Sequence, residues 1–218
     1  MDLTISDLSC FRGEQPVITG LSATVPRGTT LILRGPNGSG KSTLLRALAG
    51  LLPLAGGDAR IGDVSLRADR DSYQEHLTYA GHLDANKSAF TVRENLTFWA
   101  NLFGDGDIGP ALARFDLEDI AERRAAACSA GQKRRLGLAR ILVADRPVWL
   151  LDEPTVSLDV ESASAFSARI GEHCASGGSA IVATHIDLGL PDANELRLSR
   201  PDRNVRAETD PFLAGGWT

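Results

Sequence analysis

Residues 35–42 read Gly35-Pro36-Asn37-Gly38-Ser39-Gly40-Lys41-Ser42, the spacing G-x-x-x-x-G-K-S, with Thr43 next. Glycines in such a run let successive backbone N–H groups turn inward on an anion, where a Cβ would obstruct them. The pattern predicts a phosphate cradle: Lys41 reaches the β- and γ-phosphates of a nucleoside triphosphate, and the Ser42 hydroxyl ligates Mg²⁺. A second group, Val148-Trp149-Leu150-Leu151-Asp152-Glu153-Pro154, is an apolar run that ends in adjacent carboxylates. Asp152 is suited to hold Mg²⁺ through its water shell, and Glu153 to polarise an attacking water. Thr184-His185 follows another apolar run. An imidazole there could hydrogen-bond the γ-phosphate and the water, or be an ordinary surface group.

These groups need a scaffold that brings strand ends together. Short β-type runs occur at 3–8, 30–33, 77–80, 148–151 and 179–183, mostly apolar throughout, as strands buried on both faces read. Helical spacing alternates with them: Leu44, Leu45, Leu48 and Leu51 after Gly40; Val92, Leu96, Trp99 and Phe103; residues 129–144; and Ala163, Phe166 and Ile170. The alternation predicts an α/β fold with a mainly parallel sheet, whose strand carboxyl ends collect the ligand groups. The stretch Glu195–Glu208 reads as a hairpin turning through residues 201–204.

Composition narrows the class. The 218 residues carry 23 Lys+Arg and 28 Asp+Glu, a net charge of −5, so no whole-chain basic field would hold nucleic acid. The longest apolar-leaning stretch, 44–57, is interrupted by Arg46 and Pro53 and is shorter than the roughly 20 residues of a spanning helix. Cys10, Cys128 and Cys174 are scattered and make no zinc-type spacing with the four histidines, which argues against a disulfide framework or structural zinc. The opening residues lack a basic segment followed by an apolar one, so a reducing cytosolic setting is expected.

Cys128-Ser129-Ala130-Gly131-Gln132-Lys133-Arg134-Arg135 lies upstream of Asp152. Taken alone, it is a helix N-cap followed by a solvated basic first turn. It also resembles the L-S-G-G-Q signature of ATP-binding cassette proteins, with Cys in place of Leu and Ala in place of the first Gly. With the two phosphate-site motifs, that resemblance covers almost the whole chain. It implies a P-loop core with a mainly parallel sheet, an N-terminal antiparallel β subdomain and an inserted helical subdomain. Residues 1–82 and 139–218 would form the nucleotide-binding core and 83–138 the helical part carrying the signature, in one 1–218 domain.

The resemblance further implies ATP and Mg²⁺ as ligands, and a head-to-tail pair of copies in which Ser129, Ala130, Gly131 and Gln132 of one meet the ATP of the other. Asp159, in Val156-Ser157-Leu158-Asp159, matches the D-loop, and His185 the switch histidine. Phe11 matches the residue that stacks on adenine, though a core Phe would read the same way. His82 stands where the family usually has a glutamine, which leaves sensing of Mg²⁺ and water from that side in question; Gln74 lies too early to replace it.

The pieces Arg70-Asp71-Ser72-Tyr73, Gly81-His82, Lys87, Glu94-Asn95-Leu96, Ser129-Ala130-Gly131-Gln132 and Trp149–Pro154 resemble the branch of the family that serves haem export and cytochrome c maturation. That likeness implies a peripheral subunit on the cytoplasmic face of the inner membrane, bound to an integral membrane permease and to haem-handling maturation proteins, releasing a haem-loaded chaperone. Phe90, Phe98, Trp99 and Phe103 could form a docking surface or pack inside the helical part. The rival readings are a subunit for another solute, a soluble cassette ATPase acting on nucleic acid or ribosomes, and a P-loop kinase. The kinase would have no need of the signature.

Overall fold

The computed structural model describes residues 1–13, 15–103, 106–190 and 192–200. Two sheets organise them. A four-stranded antiparallel sheet, in the order β2-β1-β4-β5, uses β1 (Leu3–Arg12), β2 (Gln15–Val25), β4 (Gly56–Ile61) and β5 (Val64–Ser65). The other has the order β6-β7-β8-β3-β9: β6 (Leu77–Ala80), β7 (Val148–Asp152), β8 (Ser179–Ala183), β3 (Thr30–Arg34) and β9 (Asn194–Arg197). Every strand pair in it is parallel.

The central strands read as unbroken apolar runs because both of their faces are covered. Val148 and Leu150 of β7, with Leu31, Leu33, Ile181 and Ala183, pack towards α1 (Lys41–Leu48) and the antiparallel sheet. Their neighbours Trp149 and Leu151, with Ile32, Ala180 and Val182, pack on the opposite side. That side is covered by α3 (Val92–Phe103), α4 (Gly109–Arg114), α5 (Ala130–Ala144) and α6 (Val160–Ala175). Each buried Val, Leu or Ile among them contributes about 1.5–3 kcal/mol relative to exposure. The short α2 (Arg70–Gln74) leads into β6.

The expected strands and helices are present, with differences. The first strand runs to Arg12 rather than Leu8, because its antiparallel partner β2 carries register shifts that let it bend and continue. Asn194–Arg197 forms no hairpin arm within the described residues; it is a parallel edge strand beside β3, with Leu33 opposite Leu196. The expected turn at 201–204 lies outside the described residues. The helix expected from Ser129 is one unbroken rod across the 138/139 boundary.

The helical stretch starts on a local device. Thr91 and Glu94 exchange hydrogen bonds, the Thr91 N–H donating to Glu94 Oε2 (2.7 Å) and the Glu94 N–H to Thr91 Oγ1 (3.0 Å), which closes the first turn of α3. Buried Asn95 accepts from the Lys87 N–H and donates to the carbonyls of Lys87 and Thr91, so the preceding loop is tied to the helix. Among the described residues no helix is long and apolar enough to cross a membrane.

Candidate nucleotide site

The phosphate loop leaves β3 and enters α1 with Gly35, Gly38 and Gly40 at positive φ (146°, 82° and 97°). Two of these glycines are fixed by crowding as well. A Cβ on Gly35 would come 2.3 Å from the Leu198 carbonyl, and one on Gly40 would come 2.8 Å from Val17 Cγ1 of β2. Ser39 folds back, its N–H donating to the Pro36 carbonyl (3.1 Å), and its hydroxyl is buried without a partner among the described residues. An orphaned hydroxyl inside a ring of glycines fits a phosphate oxygen, and the N-terminus of α1 adds its positive end.

Lys41 is buried, and its ammonium donates to the carbonyls of Gly35 (2.8 Å) and Pro36 (3.4 Å), the arch that a phosphate would sit under. It also lies 3.3 Å from His185 Nε2, and the same imidazole nitrogen is 3.4 Å from Glu153 Oε1. The Ser42 hydroxyl donates to Asp152 Oδ1 at 3.0 Å. Lys41, Ser42, Asp152, Glu153 and His185 thus converge from β3–α1, β7 and β8, adjacent strands of the parallel sheet. Hard oxygens from a hydroxyl and a carboxylate, beside a phosphate cradle, are the donor set Mg²⁺ takes when nucleotide phosphates and water complete its octahedron.

Strand ends do not aim side chains by themselves. Glu153 sits at φ 47°, left-handed backbone that a non-glycine residue adopts only under constraint, and its N–H donates to the Ala183 carbonyl (2.8 Å). The His185 turn is held by Arg34, the last residue of β3. Its Nη1 donates to the carbonyls of Thr184 (2.9 Å) and Ile186 (2.8 Å), the residues on either side of the histidine, while its Nε faces Glu195 Oε1 (3.3 Å). Neither Arg34 nor the buried Arg134 described below was marked by sequence reasoning. A basic residue directly before the glycine loop was the only hint of the first.

The signature stretch occupies the N-terminus of α5. Ser129 Oγ accepts from the Gln132 N–H (3.2 Å), and Gln132 Oε1 accepts from the Ser129 N–H (2.9 Å), a reciprocal capping box. Ala130 is exposed. Gly131 faces the turn after β7, where a Cβ would lie 3.2 Å from the Ser157 carbonyl. Ser129 is thus the N-cap, but the turn that follows is not a solvated basic one, since Arg134 is only 4% exposed. Among the described residues no hydrogen bond or ion pair joins residues 129–132 to residues 35–43 of the same chain. Asp159 caps α6, its Oδ1 accepting from the Ser162 N–H (2.7 Å), and those hydrogen bonds hold its carboxyl below the usual range.

Two predicted positions lie apart from this convergence. His82 is exposed at the end of β6, in a cleft of about 500 Å³ shared with Arg46, Tyr79 and Arg140. Arg140 donates to the Tyr79 carbonyl (2.8 Å), and burial lowers the pKa of its guanidinium. Phe11 is half-buried near the β1–β2 turn, opposite Pro16 and beside the Val17–Ile18 edge that touches Gly40. Of the four aromatics, Phe90 and Phe98 are exposed. Trp99 packs against the core, with Phe103 stacked on it at 5.7 Å.

Comparison with known proteins agrees with this geometry. Residues 18–156 match the ABC transporter family. The chain is 54% identical over 217 residues to the cytochrome c biogenesis ATP-binding export protein CcmA of Roseobacter denitrificans, covering 98% of this chain and all of that one. The protein of the same name from Ruegeria pomeroyi is 54% identical over 196 residues, 90% of each chain. A solved putative ABC transporter ATP-binding protein from Pyrococcus furiosus superposes with a TM-score of 0.80 at 25% identity, over 91% of this chain and 98% of that one. The chain therefore belongs to the ABC transporter family and, within it, to the cytochrome c biogenesis ATP-binding export proteins.

Proposed function

We propose that this ATPase subunit of a cytochrome c biogenesis export system hydrolyses ATP with Glu153 as the group that activates water. The observation carrying the reading is the contact chain Lys41–His185–Glu153, at 3.3 and 3.4 Å, beside the 3.0 Å Ser42–Asp152 pair. Backbone amides of residues 38–43 and the Lys41 ammonium hold the β- and γ-phosphates, and Phe11 stacks on the adenine. Lys41, already freed of water and anchored on two carbonyls, exchanges part of that anchoring for phosphate oxygens. Ser42 and Asp152 hold Mg²⁺, which when bound neutralises charge developing on the phosphates. Glu153 takes up the proton of the attacking water, and His185 orients the γ-phosphate against it. Positioning and charge stabilisation supply most of the acceleration.

Among the described residues no hydrogen bond or ion pair joins the signature stretch to the phosphate loop of its own chain, and in the head-to-tail pair we propose, Ser129 and Gly131 of one copy close over the ATP of the other. The exposed Phe90, Phe98, Leu83 and Leu102 offer an apolar surface for a membrane permease. ATP supply places the subunit on the cytoplasmic face, where hydrolysis drives release of a haem-loaded chaperone. Glu153→Gln is expected to bind ATP normally while hydrolysis falls about 10²–10³-fold. Turnover at half the normal rate would remove Glu153 as the base. Lys41→Ala should instead lose nucleotide affinity.

A further inference from the structure

Arg134, one turn into α5, directs all five of its N–H donors to protein acceptors. Nε donates to the Pro154 carbonyl (3.0 Å), and Nη2 to those of Glu153 (2.7 Å) and Asp152 (3.3 Å). Nη1 donates to the Gly81 carbonyl (3.0 Å) and to Asp84 Oδ1 (2.8 Å). The guanidinium is buried, with Asp84, itself a quarter exposed, as its counter-charge. Three of the acceptors are consecutive carbonyls, 152 to 154, the turn that carries Glu153 at φ 47°. The other two belong to the loop that bears His82.

We propose that Arg134 is a positioning residue for ATP hydrolysis. It touches no substrate; it fixes the backbone from which the Glu153 carboxylate projects, and ties that turn to the 81–84 loop and to the helix whose N-terminus is the signature. The proposal rests on Glu153 being the base. A planar fork is needed because the acceptors surround one point from several directions, and a lysine ammonium on a flexible stem could satisfy only a few of them. Small displacements of a base are costly even when every reacting group is present, since the rate depends on a near-attack geometry.

Single-turnover hydrolysis by the full chain, with protein in excess over MgATP, tests this. Arg134→Lys should slow the step about 10²-fold, the loss typical of an ångström-scale misplacement, with nucleotide affinity unchanged. Placed in the Glu153→Gln background, it should slow the residual rate no further, because the group it positions is already gone. An Arg134→Lys rate near normal beside a lost Glu153→Gln rate overturns the clamp alone. Equal losses in both backgrounds overturn it in favour of a general structural role. A near-normal Glu153→Gln rate overturns the base and the clamp with it. If Arg134→Lys does not fold by circular dichroism, Asp84→Asn carries the same test. That change keeps an oxygen acceptor and removes the counter-charge, and it should give a smaller loss that likewise vanishes in the Glu153→Gln background. A loss that persists there overturns the clamp.

Discussion

The Ser42 hydroxyl donates to Asp152 Oδ1 at 3.0 Å across 110 positions of sequence, joining the first turn of α1 to the end of β7. These are the two oxygens proposed to hold Mg²⁺, and they meet because parallel β3 and β7 flank β8 and end at the same edge.

Asp152→Asn is therefore expected to keep affinity for metal-free ATP and to lose the gain that Mg²⁺ confers, with hydrolysis down about 10²–10³-fold. Titration with a fluorescent ATP analogue, with and without Mg²⁺, checks it. An unaltered magnesium response would exclude Asp152 as a ligand.

Ser129 already has a task as the cap of α5, and asparagine caps a helix about as well as serine. Ser129→Asn should leave the melting temperature unchanged while ATP turnover falls steeply, because a larger amide would close on the partner copy's phosphate. Turnover of the unaltered chain should also rise faster than linearly with protein concentration. A specific rate independent of concentration through the dimerisation range would sink the paired site.

Arg34 grips the carbonyls on both sides of His185, so its removal should act on turnover rather than on binding. Arg34→Gln is expected to lower kcat about 10–100-fold, the range typical when a group that only orients a ligand is lost. KM for ATP should stay unchanged. A parallel rise in KM would mean that Arg34 supports the phosphate loop beside it.

In the cell, deleting the gene should abolish covalent haem on c-type cytochromes, seen by haem staining after denaturing electrophoresis. Re-expressing Glu153→Gln should fail to restore it. Normal staining in the deletion strain would exclude a role in cytochrome c maturation.

Much of this was legible in the linear order of residues because it is local. A phosphate cradle needs closely spaced glycines and a lysine directly after the last of them, so residues 35–42 point to it without reference to the rest of the chain. The unbroken apolar runs at 148–151 and 179–183 likewise declare strands covered on both faces. The β1–β2 extension and the pairing of β9 were not legible. They depend on which edge a strand meets, and nothing in four residues such as Asn194–Arg197 states whether their partner is a hairpin arm or β3.

The same division runs through the site. Sequence by itself marked Lys41, Ser42, Asp152 and Glu153 as the candidates for phosphate, metal and proton, and left His185 open between a γ-phosphate contact and a surface group. Tertiary structure alone decided what holds them. Arg134 reads as part of a solvated basic turn until folding surrounds it with five acceptors from two distant segments, residues 81–84 and 152–154. Arg34 reads as the polar end of a strand until the His185 turn closes on it. Backbone carbonyls carry no residue identity, so a side chain that works by gripping them leaves no motif. Its role exists only once distant carbonyls have been folded into reach.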